Sequence, residues 1–355
     1  MQKFFQDNDT KTALEAQYEA QKIAFAPMIF QVARSMRDLG ILEMLHQHSK
    51  TGLSLEEISQ KCKLTVYAVK VLVETSLTAD IVKELDERYY ITKTGYFLFS
   101  DKMTKINMDY NHYVNYQGLY YLEDSIKQEQ PTGLKVFGSW DTIYPALSSL
   151  PPKAQNAWFA FDHFYSDTAF EEAIDILLES KPKSILDIGG NTGKFSIQLA
   201  KKSSTVKVSI LDLPQQISLA QENIKKHKIE KQVDFIGLDV LNHSKKIPSG
   251  YDIIWMSQFL DCFKEEDVVQ LLKRIKESMH EGASIYIMEP LWDKQRFETS
   301  AYCIINTSPY FTAMANGYSK MFNAKDMLSL IEQAGLILHK QIDNVGICQS
   351  ILICR

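Results

Sequence analysis

Short apolar runs alternate with amphipathic segments in the second half of the chain. Seven such runs predict strands, at residues 184–188, 206–211, 233–237, 252–257, 284–289, 336–342 and 346–353. Between them, apolar residues at helical spacing predict helices at residues 193–202, 214–228, 265–279 and 324–334. This alternation predicts an α/β fold with a doubly wound sheet and right-handed crossovers. No helix separates the last two strands, so they should form an antiparallel hairpin around Asn344.

The first half is patterned mainly for helices. Helical spacing runs through residues 11–48 and is interrupted at Gly40. Ser54 and Glu57 have the spacing of a capping box, which predicts a helix ending near Cys62. The pattern then predicts a helix at about 66–77 and short strands around 81–83 and 89–91, joined by residues 84–88. Two helices followed by a hairpin are typical of a winged helix-turn-helix.

The charges of this winged unit do not favour DNA binding. Its would-be recognition helix carries only Lys70 and Glu74 as charged residues. From Lys63 to Lys93 there are five basic and five acidic residues, whereas a DNA groove requires neutralisation of phosphates. The unit is also unusually apolar for a free surface. We therefore predict a role in dimerisation or protein interaction.

Composition narrows the class of protein. The 355 residues suffice for two domains, and the net charge of −5 argues against a general binder of nucleic acid or anionic membranes. Five cysteines without CxxC or Cys/His clustering predict reduced thiols in the cytoplasm, with neither a disulfide framework nor a metal site. The residues after Met1 are too polar for a signal peptide, and no apolar run reaches the roughly 18 residues of a membrane span.

Aromatic residues are concentrated at residues 105–165, which Pro151-Pro152 divides. They predict either a helical core or one wall of an apolar ligand pocket. We therefore predict three parts, namely a dimerisation domain (1–105), a helical linker contributing to the substrate pocket (106–180) and a cofactor-binding domain (181–355). The candidate substrate-binding residues, from this segment and from 292–322, are Tyr116, Trp158, Tyr302, Asn306 and Tyr310.

Three successive predicted strands end in residues suited to a nucleoside. Asp187 precedes the turn Gly189-Gly190-Asn191-Thr192-Gly193, and Asp212 and Asp239 follow the next two strands. The carboxyl edge of an open α/β sheet is where nucleotides bind. A dinucleotide fingerprint would need a further glycine where this chain has Lys194, so an NAD-type oxidoreductase is disfavoured.

The spacing favours S-adenosylmethionine (SAM). The glycine turn and the following helix N-terminus suit an amino-acid carboxylate and ammonium. Asp212 is placed to accept from both ribose hydroxyls, and Asp239 from the adenine amine, with Leu213 and Val240 around the ring. The candidate cofactor-binding residues are Asp187, Gly189, Gly190, Gly193, Asp212, Leu213, Asp239, Val240 and Ser257.

Six stretches resemble the class I SAM-dependent methyltransferases. They are Leu186–Gly193, Leu211–Pro214, Gly237–Asp239, Leu260–Glu266, Ile287–Pro290 and Gln333–Leu336. Over nearly the whole chain the resemblance is to dimeric small-molecule O-methyltransferases of the plant caffeate and bacterial polyketide and hydroxyneurosporene type. It implies a Rossmann-like seven-stranded methyltransferase sheet. It also implies an N-terminal winged-helix domain that forms an intertwined homodimer and helps to shape the partner's pocket. The resemblance further implies that the acceptor is a small molecule and that the protein binds neither nucleic acid nor a membrane.

Two departures from that family concern its catalytic base. The family's Leu-His-Asp-Trp is Leu260-Asp261-Cys262-Phe263 here, so the usual histidine falls on Asp261. The family's Glu-Arg-Thr falls near Met321-Phe322-Asn323, so its carboxylate is absent, whereas Glu289 remains. A phenol has a pKa of ~10 and an ordinary aspartate one of ~4, so Asp261 would need burial to act as a base. The candidate catalytic residues are Asp261, Glu289 and, if the aromatic segment folds over the cofactor, His163.

The predicted reaction is methyl transfer from SAM to a hydroxyl of a small aromatic or polyketide-like molecule. An acidified phenol or enol would reduce the need for a strong base. Two alternatives stay open from the sequence. One is a family member whose chemistry has drifted from O-methylation, and the other is a winged-helix transcription regulator that senses SAM.

Overall fold

The computed structural model describes residues 4–5 and 7–355, so Met1–Lys3 of the polar N-terminal segment lie outside the described residues. The chain forms two compact units: the first comprises the described residues up to Asn111 except Phe4 and Phe5, and the second comprises His112–Arg355 together with Phe4 and Phe5.

The first unit consists of helices with one small hairpin. Its elements are α1 (Ala13–Asp38), α2 (Ile41–Gln47), α3 (Leu55–Cys62), α4 (Val66–Leu77), β1 (Val82–Leu85), β2 (Arg88–Ile91), α5 (Lys93–Ser100) and α6 (Lys102–Tyr110). Gly40 lies between α1 and α2 with a φ of +74°, and Ser54 and Glu57 form the predicted capping box at the start of α3. Strands β1 and β2 pair antiparallel. The predicted connection over residues 84–88 is too long, because only Asp86 and Glu87 lie between the strands.

The second unit contains the sheet and the remaining helices. Its elements are α7 (Leu122–Gln128), α8 (Pro152–Leu178), β3 (Ser184–Ile188), α9 (Lys194–Lys202), β4 (Lys207–Asp212), α10 (Pro214–His227), β5 (Val233–Gly237), β6 (Ile253–Ser257), α11 (Glu265–Ser278), β7 (Ser284–Glu289), α12 (Glu298–Ile305), α13 (Ser308–Tyr310), α14 (Ala324–Gln333), β8 (Leu338–Val345) and β9 (Gln349–Cys354). Pro152 occupies the first turn of α8, where a missing backbone N–H costs nothing.

The seven-stranded sheet has the order β5-β4-β3-β6-β7-β9-β8. Strands β3 to β7 are parallel, and β9 lies antiparallel between β7 and β8. The predicted α/β class, the doubly wound sheet and the terminal hairpin are confirmed. The predicted turn position was wrong, because Asn344 lies within β8 beside an irregularity in register, and the turn is formed by residues 346–348.

Apolar clusters cover both faces of this sheet. One is formed mainly with α11 and α14, and the other with α8 and α9. Because the five parallel strands all run the same way, their carboxyl ends meet at one edge, where the polar residues predicted from the sequence are collected.

Candidate active site

The turn after β3 depends on glycine at two positions. Gly189 and Gly193 both have a φ of +77°, which side-chain-bearing residues rarely adopt. A Cβ added to Gly189 would lie 2.3 Å from the ring of Phe259. Gly193 is the N-cap of α9, so the unpaired amides of the first helical turn lie beside this loop. The arrangement is a cradle for an anionic group.

Asp187 is the last but one residue of β3 and is 2% exposed. Its Oδ2 has no hydrogen-bond partner among the described residues. Burial and the nearby charge of Asp212 raise the pKa of Asp187 to about 8. A Cβ on Gly190 would come within 2.8 Å of the same Oδ2, so a larger residue here would crowd the carboxyl group. A buried carboxyl without a partner suits a cationic donor.

Asp212 ends β4 and fixes the same loop from the neighbouring strand. Its Oδ2 accepts from the backbone N–H of Asn191 at 2.8 Å, and its Oδ1 from that of Leu213 at 2.7 Å. Each carboxylate oxygen has a further lone pair, so the pair could still accept from two hydroxyls.

The other nucleoside candidates lie at the ends of adjacent strands. Asp239 follows β5 by two residues, is exposed, and accepts from the backbone N–H of Leu241 at 2.9 Å. Val240 is buried beside it. Ser257 ends β6, and its hydroxyl has no partner among the described residues. The sheet therefore brings all the predicted cofactor residues to one edge.

Two buried carboxyl groups lie farther along this edge. Asp261 is 3% exposed in a 3₁₀ turn after β6, and Glu289 is 1% exposed at the end of β7. Glu289 Oε1 accepts from the backbone N–H groups of Phe259 at 2.9 Å and Leu260 at 2.8 Å, whereas Oε2 has no partner among the described residues. Burial raises the pKa of Glu289 well above its usual range. Glu289 thus holds the turn that carries Asp261.

A third carboxyl group, Asp162 on α8, acts on Asp261. Burial, together with the charge of Asp162, raises the pKa of Asp261 to about 7. Asp162 Oδ2 accepts from the side-chain amide of Asn191 in the glycine turn at 3.3 Å. Sequence reasoning missed Asp162, although it precedes the histidine that was singled out.

His163 lies one residue beyond Asp162. Its Nδ1 is 3.7 Å from Asp162 Oδ2 and 3.5 Å from Asp167 Oδ1, and its ring stacks on Phe159 with 5.8 Å between centroids. Lys194 also pairs with Asp167, at 2.6 Å. No contact between His163 and Asp261 is recorded within the described part of the chain. The structure therefore places His163 in a charge network between α8 and α9.

Two of the predicted substrate-binding residues meet beside these carboxyl groups. Trp158 Nε1 donates to the Tyr310 hydroxyl at 2.6 Å, and Tyr310 lies in the electrostatic field of Asp162 and Asp261. The other three are solvent-exposed: Tyr116 at 36%, Tyr302 at 59%, and Asn306, whose amide donates to the backbone of its own helix at 2.8 Å. The structure brings Trp158 and Tyr310 into direct contact.

Asn316 is a further residue that the sequence analysis did not find. It is 1% exposed, and its amide nitrogen donates to the carbonyl of Cys262 at 2.9 Å and to the hydroxyl of Tyr144 at 3.3 Å. The contact with Tyr144 spans 172 residues of sequence, so no local pattern signals it.

Two classes of feature are absent from the described residues. In that part of the chain no group of three or more His, Cys, Asp or Glu side chains could hold a metal ion. Nor is any helix within residues 4–5 and 7–355 long and apolar enough to cross a membrane.

Comparisons with known proteins agree with this geometry. The family described as O-methyltransferase domain matches residues 120–337, and the Dimerisation2-like domain matches residues 17–89. The L-tyrosine C(3)-methyltransferase of Streptomyces lavendulae is 24% identical over 273 residues, which cover 76% of this chain and 73% of that protein. The N,N-dimethyltransferase OxyT of Streptomyces rimosus is 23% identical over 347 residues, which cover 95% and 96%. The crystal structure of the S-adenosylmethionine-dependent methyltransferase SibL matches with a TM-score of 0.72 and 19% identity, over 95% of this chain and 98% of that one.

Proposed function

This chain belongs to the O-methyltransferase family, and from that premise we propose that it methylates a hydroxyl group of a small aromatic or polyketide-like acceptor, with SAM as the methyl donor. The observation that carries the proposal is the buried carboxyl group of Asp261, which lies on the same sheet edge as the glycine turn and beside the Trp158–Tyr310 pair.

The residues of the sheet edge fit SAM. The unpartnered Oδ2 of Asp187 suits the amino-acid ammonium, and the amides at the start of α9 suit its carboxylate. Asp212 would accept from the ribose hydroxyls, and Asp239, Leu213 and Val240 would surround the adenine. SAM supplies a methyl group on a positively charged sulfur, open to displacement by a nucleophile.

The hydroxyl group of the acceptor must lose its proton. At the position of the family's catalytic histidine this chain has Asp261. An ordinary aspartate is a poor base for a phenol, because the pKa values differ by ~6 units. With the pKa of Asp261 raised to about 7, roughly half of that difference is removed. We propose that Asp261 takes the hydroxyl proton and that Glu289 orients the turn that carries it. His163 pairs with Asp162 and Asp167, so we propose that it interacts with these two carboxyl groups and does not contact the acceptor.

The remaining contribution to the rate comes from positioning the acceptor relative to the methyl group. Trp158 and Tyr310 form an aromatic wall against which a ring can lie, and Asn316 ties the Cys262 carbonyl to the segment that follows α13. Holding the oxygen in line with the methyl group and excluding water account for much of the rate of such a transfer.

The experiment starts with cofactor binding. Titration calorimetry with S-adenosylhomocysteine should give one saturable site per chain, and NAD should give none. A screen of phenolic acceptors with SAM follows, and NMR of the product identifies the methylated atom. A methyl group on carbon or nitrogen would contradict the hydroxyl assignment, an outcome of interest because the two relatives above are named for those reactions.

Asp261→Asn tests the base. We expect kcat to fall by about 10²–10⁴-fold while the affinity for S-adenosylhomocysteine stays unchanged. The matched control is Asp175→Asn, an exposed aspartate on α8 that pairs with Lys202. Full turnover by the Asp261 variant would overturn its role.

We also propose that the enzyme works as a homodimer formed through the first unit. The match to a Dimerisation2-like domain and the exposed apolar residues of α1 support this assembly. No observation favours a transcription regulator, and the Lys70–Glu74 pair at 3.6 Å leaves α4 with balanced charge.

A further inference from the structure

Three carboxyl groups form an acidic cluster near Tyr310. The carboxyl groups of Asp162, Asp261 and Glu289 lie within electrostatic reach of one another. The charge of Asp162 raises the pKa of Asp261, and the charge of Asp261 raises the pKa of Glu289. No Lys, Arg or His is recorded in an ion pair with Asp261 or Glu289 in the part of the chain that the structure describes. His163 Nδ1 lies 3.7 Å from Asp162 Oδ2, so the carboxyl group of this cluster that has no cationic partner among the described residues and is not held neutral by burial is that of Asp261.

Carboxyl oxygens without a recorded hydrogen-bond partner favour a ligand over an internal network. Glu289 is 1% exposed, yet its Oε2 has no partner within the described residues. The recorded contacts of Asp162, with Asn191 and His163, involve Oδ2 alone, so Oδ1 is available to a donor. The side chain of Asp162 is 25% exposed, so a small molecule can reach it.

An aromatic wall stands beside this cluster. Trp158 donates to the hydroxyl of Tyr310, which lies within the electrostatic reach of Asp162 and Asp261, and the rings of Phe259 and Phe263 pack edge to face with 4.9 Å between centroids. Aromatic faces attract cations, and a ring with an ammonium group would meet both features. A carboxylate on the acceptor would be repelled by the ionised forms of Asp162 and Asp261.

We infer that the acceptor is an aromatic compound that carries a protonated amino group, and that Asp162 binds this ammonium through its available oxygen. The inference rests on the proposed function and adds the charge of the substrate. Because Glu289 is held neutral by burial, the acceptor's ammonium would offset the charge of Asp162, so that Asp261 can ionise and accept the hydroxyl proton.

The test uses three ligands that share a hydroxyphenyl ring and a two-carbon chain. They are tyramine, with an ammonium end, tyrosol, with a neutral hydroxyl, and 4-hydroxyphenylacetate, with a carboxylate. Each is titrated by calorimetry into the full chain saturated with S-adenosylhomocysteine, near neutral pH. A charge-assisted hydrogen bond should make tyramine bind about tenfold or more tighter than tyrosol, with the carboxylate weakest.

Asp162→Asn locates the effect. This variant should bind tyramine and tyrosol equally, whereas Asp175→Asn on the same helix should keep the tenfold preference. Equal binding of the three ligands to the wild type, preference for the carboxylate, or no binding of tyramine would each overturn the inference. Loss of S-adenosylhomocysteine binding would instead contradict the proposed function, so the two failures are distinguishable.

Discussion

Asp187 shows at the scale of one residue how a binding group can cost stability. Its carboxyl group is buried with an oxygen that nothing in the described chain satisfies, and its pKa rises to about 8 from an ordinary value of ~3.9. The neutral form is therefore favoured by folding. The stability contributed by the neutral carboxyl group of Asp187 is fully present below the pKa of this group in the unfolded chain. It is lost as pH rises through the folded-state pKa of about 8.

We predict that Asp187→Asn raises the melting temperature of the ligand-free protein near pH 8 and leaves it unchanged near pH ~4. The amide stays neutral at every pH, so the variant avoids the cost of an ionised buried group. Each kcal/mol should appear as about 2–4 °C in a calorimetric scan. Asp175→Asn serves as the exposed control, and parallel melting curves for the wild type and the Asp187 variant at both pH values would contradict the argument.

The same carboxyl group should make cofactor binding depend on pH. An ammonium ligand favours ionised Asp187, whose pKa in the free protein is about 8. The affinity for S-adenosylhomocysteine should therefore increase as pH rises toward 8, by up to about tenfold per unit. Calorimetry at several pH values measures this slope, which should be absent in Asp187→Asn. A flat profile in the wild type would show that Asp187 does not bind the ammonium.

The sequence predicted some of these residues and not others for a physical reason. Asp187 and Asp212 follow directly from their positions at strand ends, because parallel strands bring such residues to one edge. Asp162 lies in the middle of a long helix, and Asn316 acts on a turn 54 residues away. Their roles depend on packing between distant segments, which has no local signature.

At the scale of elements, one side chain links β7 to the turn after β6. Glu289 satisfies two backbone N–H groups, those of Phe259 and Leu260, that this turn would otherwise leave unpaired. Burial raises the pKa of Glu289 well above its usual range, so the folded protein holds it neutral. A glutamine, which is neutral and has one carbonyl oxygen, should therefore reproduce its structural role.

We predict that Glu289→Gln changes the free energy of unfolding by no more than about 1 kcal/mol and that Glu289→Ala lowers it by about 2–4 kcal/mol. The alanine variant should also lose turnover, because the turn carrying Asp261 is released. Urea unfolding and kcat measure the two effects. Similar stability of the two variants would mean that the amide contacts at 2.9 and 2.8 Å contribute little.

Elements with local signals were predicted well. The predicted capping box of α3, with Ser54 as the N-cap, is closed by Glu57 three positions away. The turn of the terminal hairpin was predicted at the wrong position. The sequence favours Asn344 as the turn residue because asparagine tolerates positive φ. Its φ of +62° instead belongs to an irregularity within β8. Two π-helical turns, Asn111–Asn115 and Phe311–Ala315, also have no recognisable pattern in the sequence.

At the scale of the whole molecule, the first unit presents a helix that it does not bury. Only Ala33 and Met36 of α1 are buried. Four apolar residues on one stripe of its first 16 residues are exposed by 53–78%: Leu14, Tyr18, Phe25 and Met28. By the 3.6-residue period, Ile23, which is 77% exposed, lies on the opposite side. A stripe of this kind is typical of a helix that pairs with another chain.

We predict that the double substitution Leu14→Glu and Phe25→Glu converts the proposed homodimer into a monomer and that Ile23→Glu does not. The first change places two charges within the stripe, where pairing would bury them unpaired, whereas the second places one charge on the opposite side. Light scattering at micromolar concentration measures the mass, and calorimetry with S-adenosylhomocysteine provides the control. Because the cofactor residues all lie within His112–Arg355, both variants should bind this ligand as the wild type does. If the stripe variant stayed dimeric, or if the Ile23 variant dissociated as readily, the dimer would have to form through another surface, and the exposed stripe would need a different partner.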